Sequence, residues 1–106
     1  MDVVSLYSTW PNLPAAEAAG QALIEARLAA CVNIIPAVRS LYRWDGAIQR
    51  DDEIVMFVKT SAARAGEARD ALIAAHPYDT PCVLHLRTAP ENSAPDFLAW
   101  VIAETS

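Results

Sequence analysis

The side chains of this chain best suited to hold a soft metal or a small ligand are Cys31, Cys82, His76, His85 and Lys59. Cys82 and His85 have the look of a metal pair, but residues three apart on a strand point to opposite faces. They cannot share one ion without a bulge. Cys31 and Cys82 fall at the starts of two different strands. At opposite edges of a four-stranded sheet they stand about 14 Å apart, too far for a disulfide or a shared ion within one chain. Between subunits, edge against edge, they could meet. Each also reads as a small buried hydrophobe.

His76 ends a helix, where an imidazolium would interact favourably with the dipole. It opens the cluster His76-Pro77-Tyr78-Asp79, dense in hydrogen-bonding groups at a strand-entry corner of the kind where sites often sit. Lys59, the single lysine, ends a central strand as a solvated boundary residue. The acidic run Asp51-Asp52-Glu53 reads as a solvated turn, because consecutive extended residues diverge and a metal needs convergent oxygens. Tyr42 and Trp44 fall on one face near a hairpin tip, with Arg39 and Arg43 on the other. That aromatic pair reads as a partner-facing surface or as packing against a neighbouring subunit.

Several chemistries are excluded. The chain has no glycine-rich phosphate loop, no Gly-x-Ser-x-Gly and no Cys-x-x-Cys. The segment Thr9-Trp10-Pro11-Asn12 lacks the cysteines of heavy-metal chaperone domains and the arginine cradle of acylphosphatases. The central strand lacks the aromatic signature of RNA-recognition motifs, and Asp2 rules out an amino-terminal proline catalyst. No catalytic constellation emerges, so the expectation is a protein that is not an enzyme. A net charge of -5 with scattered basic residues argues against nucleic acid as a partner. No apolar run approaches the ~20 residues needed to cross a bilayer, and an acidic start is unlike a signal peptide. The expected place is cytoplasmic, without a membrane partner.

The elements that must position these residues form one domain, residues 1–106. Residues 2–8 read as a strand broken at Trp10-Pro11. Asn12 is a good helix N-cap, and a helix runs to about Ala30 with a core stripe of Ala16, Ala19, Gly20, Leu23, Ile24 and Leu28. Cys31 to Trp44 is extended, and Pro36 marks an edge strand or bulge. Asp45-Gly46 turns a hairpin, and the chain returns to the apolar strand Ile54 to Val58. Ser61 caps a second helix with the stripe Ala65, Ala68, Leu72 and Ile73, which stops at His76-Pro77. A strand from Cys82 to Thr88 follows. Ser93-Ala94-Pro95-Asp96 has the capping-box form and opens a last helix carrying Phe97, Leu98, Val101 and Ile102.

The order β-α-β-β-α-β predicts an α+β, ferredoxin-like split β-α-β antiparallel sheet with an added C-terminal helix. Five apolar residues in a row at Ile54 to Val58 make both sheet faces hydrophobic. Two helices cover one face and a short third helix only a corner, so a second subunit is expected on the rest.

Several segments together resemble one family, the CutA divalent-cation tolerance proteins. These are Glu25-Ala26-Arg27-Leu28-Ala29-Ala30-Cys31-Val32-Asn33-Ile34, the hairpin Ser40-Leu41-Tyr42-Arg43-Trp44-Asp45-Gly46, Lys59-Thr60, His76-Pro77-Tyr78-Asp79, and Phe97-Leu98-Ala99-Trp100. They span nearly the whole chain in the right order. The resemblance implies a homotrimer built like the PII signalling proteins, with the hairpin reaching along a neighbour. It implies a role in tolerance of copper and other divalent ions, no required cofactor, and copper or another divalent metal as the candidate ion. Clefts between subunits, lined by residues matching Lys59, His76 and Tyr78, are implied places for an unknown small ligand. Cys31 matches the family's recurrent cysteine and is the first candidate for Cu(I), with Cys82 as a second thiolate. Two positions depart from the pattern. Ala47 stands where the family often has lysine, and Cys82 where it usually has glutamate.

Three functions remain in view: a non-enzymatic trimeric binding or signalling module, a cofactor-free oligomeric enzyme on the same fold, and a trimeric scaffold presenting hairpins to a protein partner. An enzyme of that kind needs a His or Asp facing inward between helix and sheet. His85 is the one strand residue that could do so, and it is expected at a subunit contact.

Overall fold

Asn12 starts the first helix as expected, its side chain accepting from the Ala15 N–H at 2.9 Å. The computed structural model describes residues 2–106. Strand β1 (Val3–Trp10) leads into α1 (Leu13–Glu25), then β2 (Cys31–Trp44) and β3 (Ala47–Ser61). Helix α2 (Ala62–Ala75), strand β4 (Val83–Arg87) and helix α3 (Pro95–Glu104) complete the chain. The four strands form one antiparallel sheet in the order β2-β3-β1-β4. This is the ferredoxin-like arrangement, with α3 added.

Even-numbered residues of β1 and β3 face α1 and α2. Leu6, Trp10, Met56 and Val58 meet Ala16, Leu23, Ala68 and Leu72 there, all nearly or completely buried. Helix α1 lies close to the sheet because its central residue is Gly20. A Cβ at that position would come within 3.0 Å of Val32 Cγ2 and 3.1 Å of Met56 Sδ. Within this core the Trp10 indole donates to Ser8 Oγ at 2.7 Å and Ser8 donates to the Met56 carbonyl at 3.1 Å, whereas the buried Thr60 Oγ1 has no partner among the described residues.

The opposite face is largely open. Tyr7 and Phe57 meet edge to face at 5.4 Å. Around them Ile35, Leu84 and Leu86 are 43%, 55% and 41% exposed. Helix α3 covers one corner only, where Val101 packs with Val3 and Ala30. The expected two-faced sheet with a partly covered second face is therefore present.

The β2–β3 hairpin runs past the rest of the sheet. At Asp45-Gly46 it turns through φ values of 51° and 76°, both in the left-handed region that two-residue hairpin loops require. A register shift between Ile35 and Val38 brackets Pro36, as the missing donor predicts.

Several expected boundaries move. Helix α1 stops at Glu25 rather than Ala30, because Arg27 takes φ 58°. The Leu28 N–H then reaches the Leu23 carbonyl at 2.9 Å and the Arg27 N–H reaches that of Ile24 at 3.1 Å. This is a Schellman closure with arginine in the place usually held by glycine. Strand β1 continues through Trp10, whose ring is a core residue and not a breaker. Ser61 precedes α2 without a side-chain cap, and Cys82 lies just outside β4. The capping box does not form: Ser93 Oγ donates to the Ala89 carbonyl across a 3-10 turn, Pro90–Asn92, and Ala94 is the cap residue of α3. Ile24 and Ile73 leave the expected core stripes, at 42% and 46% exposed. Each follows a buried leucine, and one step around a helix turns a side chain about 100° away from the sheet.

Leu72→Ala is expected to lower stability by about 2–5 kcal/mol, and Ile73→Ala by well under half of that. The shifts in urea midpoint of the two variants measure this. Equal losses would overturn the assignment of the buried face of α2.

Candidate functional site

His76 fixes the corner where α2 ends. Its Nδ1 accepts the Tyr78 backbone N–H at 3.2 Å, so the ring proton sits on Nε2 and is donated to the Thr9 carbonyl at 2.7 Å. The ring stacks on Trp10 at 4.1 Å and lies against Tyr78 at 4.8 Å. The imidazole therefore acts as a neutral strut between the end of β1 and the 77–80 turn. His76 ends α2 as read from the sequence, but its ring answers the Thr9 carbonyl and the Tyr78 N–H rather than the last carbonyls of the helix.

The turn held in this way forms one wall of a groove of about 870 Å³ on the open side of the sheet, at the base of the hairpin. That volume lies within the range of small-molecule sites. Four aromatic side chains line it: Tyr7, Tyr42, Trp44 and Tyr78. Four carboxylates line it as well: Asp51, Asp52, Glu53 and Asp79. Among the described residues that line it, none is lysine, arginine or histidine.

The acidic run is not a turn. Asp51, Asp52 and Glu53 lie within β3, opposite Ser40, Arg39 and Val38. Strand alternation sends Asp51 and Glu53 to one side and Asp52 to the other, so neighbouring carboxylates diverge as expected although the segment is a strand. Tyr42 donates its hydroxyl to Asp51, and Tyr78 donates to Glu53 Oε2 at 3.3 Å. Asp52 pairs with Arg39 at 3.0 Å. Glu53 is only 8% exposed and forms no ion pair among the described residues.

These contacts hold both phenols in the neutral form. Burial, with the charge and hydrogen bond of Glu53, pushes the Tyr78 phenol up to about 12. The hydrogen bond to Asp51 raises that of Tyr42. In the neutral form both hydroxyls point at carboxylates, so the groove offers acceptor oxygens and ring faces to whatever enters it.

The other candidates lie elsewhere in the chain. Lys59 sits on the open face opposite Cys31 and Ser5, its Nζ 5.5 Å from the centre of the Phe97 ring. It lies six positions along β3 from Glu53, so Lys59 and Tyr78 do not converge within one chain. His76 is buried behind the groove and Tyr78 lines it. Cys82 also lines it, whereas Cys31 stands at the far edge of the sheet. Three strand spacings and four residues along the strand put the two cysteines on the order of 20 Å apart. His85 lies opposite Leu6, on the helix-covered face beside Ala65 and Arg69, but it is exposed. No group of three His, Cys, Asp or Glu side chains that could hold a metal occurs among the described residues. Tyr42 and Trp44 are 40% and 56% exposed on the hairpin.

Residues 4–104 match the family model described as CutA1 divalent ion tolerance protein. The chain is 40% identical over 96 residues to the divalent-cation tolerance protein CutA of Archaeoglobus fulgidus, covering 91% of each. It is 36% identical over 99 residues to protein CutA of Mus musculus, covering 93% of this chain and 55% of that one. Among solved structures, CutA from Xylella fastidiosa superposes with a TM-score of 0.95 at 37% identity over the full length of both chains.

The tyrosines supply a test of the groove's electrostatics. A folded-state phenol raised from 10.0 to about 12 adds stability that is fully present below pH 10 and lost as pH rises through about 12. Phenolate absorbance should show a tyrosine step near 12 that is lost in Tyr78→Phe. Glu53→Gln should bring that step down without restoring the ordinary value, because burial is the larger cause. An unchanged step would exclude the coupling.

Proposed function

Because this chain belongs to the CutA1 divalent ion tolerance family, we propose that it serves divalent-cation tolerance as a homotrimer that binds and signals without catalysing a reaction. The observation that carries the assembly is the open sheet face. Ile35, Leu84 and Leu86 are exposed on it around the Tyr7–Phe57 pair, and soluble monomers rarely leave a continuous apolar patch of that kind in water. On the hairpin Tyr42 and Trp44 lie on the same side of the ribbon and extend that surface.

The seams between subunits carry the ligand sites in this reading. Cys31 belongs to edge strand β2, and Cys82 adjoins edge strand β4. Packing one subunit's β2 edge near the next subunit's β4 brings two free thiols together, a donor set suited to Cu(I). Such a site needs two copies, since the cysteines of one chain stay apart. The groove beside Tyr78 takes a small ligand, and Lys59 of an adjacent copy is placed to approach the seam.

Native mass spectrometry tests the assembly, and copper titration tests the thiol site. The expected results are a trimer and loss of Cu(I) affinity by about tenfold or more in both Cys31→Ser and Cys82→Ser. A monomer would overturn the assembly. Unchanged affinity in both variants would overturn the site.

A further inference from the structure

The strut at the end of α2 works in only one state of charge. The Tyr78 backbone N–H is a fixed donor, so the His76 Nδ1 that meets it at 3.2 Å carries a lone pair and no proton. An imidazolium donates from both nitrogens. Its Nε2 would still serve the Thr9 carbonyl at 2.7 Å, and its ring would keep the face of Trp10, a contact that suits a cation. At Nδ1, however, two N–H groups would confront each other. His76 is only 9% exposed, so water does not readily replace the lost acceptor.

We propose that His76 is an acid-operated latch: uptake of one proton at Nδ1 frees the 77–80 turn from the end of α2, while the imidazole stays seated on Trp10. The inference needs neither the assembly nor the thiol site. The charged and titratable groups around the ring are few. On β1, Ser8, Thr9 and Trp10 bring none; α1 has none before Glu17, and α2 none after Asp70. The turn brings Tyr78 and Asp79, and β3 brings Glu53 at the hydroxyl end of Tyr78. Cys82 precedes β4, and His85 lies within it, exposed and opposite Leu6. Among the described residues, Tyr78 is the one of these that is bonded to or stacked with the imidazole. The released turn binds one proton more than the latched one, so falling pH favours release, by up to about tenfold per pH unit for a single proton. With the turn goes the Tyr78 bond to Glu53, and one wall of the groove loosens. Leu6, Met56 and Leu72 keep their contacts beneath the helices, so the event is a local opening and not global unfolding.

The test titrates the full chain from about pH 8 to about pH 5, the interval in which histidine ordinarily changes charge. Imidazole nitrogen shifts and amide hydrogen exchange are read by NMR on the same samples. At the upper pH, Nδ1 of His76 should read as the unprotonated nitrogen. As it takes up a proton, protection of the Tyr78 amide, corrected for its intrinsic exchange rate, should fall about tenfold or more with the same midpoint. Protection of Met56 and Val58 should not change. His76→Asn keeps an acceptor oxygen near the Nδ1 position and does not titrate, so it should make Tyr78 protection independent of pH over this interval. Glu53→Gln and His85→Gln should each retain the transition. The proposal is overturned by an Nδ1 already protonated at the upper pH, or by a Tyr78 amide that does not follow the imidazole. A transition that survives His76→Asn, or vanishes in Glu53→Gln or His85→Gln, overturns it as well. Simultaneous loss of protection at Tyr78 and Met56 does the same, because the event is then global. If His76→Asn does not fold, the two wild-type midpoints decide: shared, they support the latch, and separate, they sink it.

Discussion

The alternation of side chains along β3 governs the rest of the structure. This strand pairs with β1 along Ile54 to Ser61 and with β2 along nearly its whole length. Its even residues Ile54, Met56 and Val58 close the core beneath the two helices. Its odd residues Val55, Phe57 and Lys59 make the open face, and the same odd series continues outward as Glu53 and Asp51. One register therefore sets the core, the open sheet face and the groove. A slip of a single residue would exchange all three.

The site depends on the core through a short relay. Trp10 is completely buried at the end of β1, and His76 stacks on it while bonding to the neighbouring Thr9 carbonyl. The second ring nitrogen holds the Tyr78 backbone, and the Tyr78 hydroxyl reaches Glu53. A buried aromatic pair thus fixes the position of an otherwise polar turn. The groove's electrostatics follow from the same placement: burial first, and then the closeness of Glu53, raise the Tyr78 phenol.

The fold was legible in the sequence because its signals are periodic and local. The Asn12 cap, the Asp45-Gly46 turn, the Pro36 irregularity and the two-faced strand all appear where residue type predicts. The boundary errors share one cause, which is that tertiary contacts supplied what local signals did not. Arg27 accepts a left-handed conformation while its guanidinium reaches the Glu104 carbonyl at 3.2 Å. Ser93 bonds backward to Ala89 and leaves the helix uncapped. The site was half legible. His76 and Tyr78 stood out in one hydrogen-bonding cluster and Tyr42 with Trp44 as an aromatic pair on the hairpin, but Asp51 and Glu53 were read as a solvated turn. Alternation was the signal that would have found them: once β3 is extended as far as Ala47, positions 51 and 53 must share a side. Trp10 carried no such signal, because a tryptophan before proline reads as the end of a strand until the core that receives its ring is known.

The outer hairpin shows how much apolar surface the single chain leaves uncovered. A two-stranded ribbon is marginal in water unless a third element covers one face. Beyond Val38 the ribbon of β2 and β3 has no third strand beside it. Its cross-strand ties are the Arg39–Asp52 pair, 58% and 84% exposed at the side chains, and the Tyr42–Asp51 hydrogen bond. Exposed ion pairs contribute about 0–1 kcal/mol, too little to hold a ribbon that also displays Leu41, Trp44 and Ile48 to water. The hairpin nevertheless keeps regular pairing out to Trp44 and Ala47. The sequence thus retains apolar residues where an isolated chain has no use for them, on a ribbon shaped to lie along another surface. The open sheet face has the matching deficit. Tyr42 and Trp44 share the side of the open sheet face while Leu41 and Ile48 lie on the other, so the ribbon is apolar on both sides.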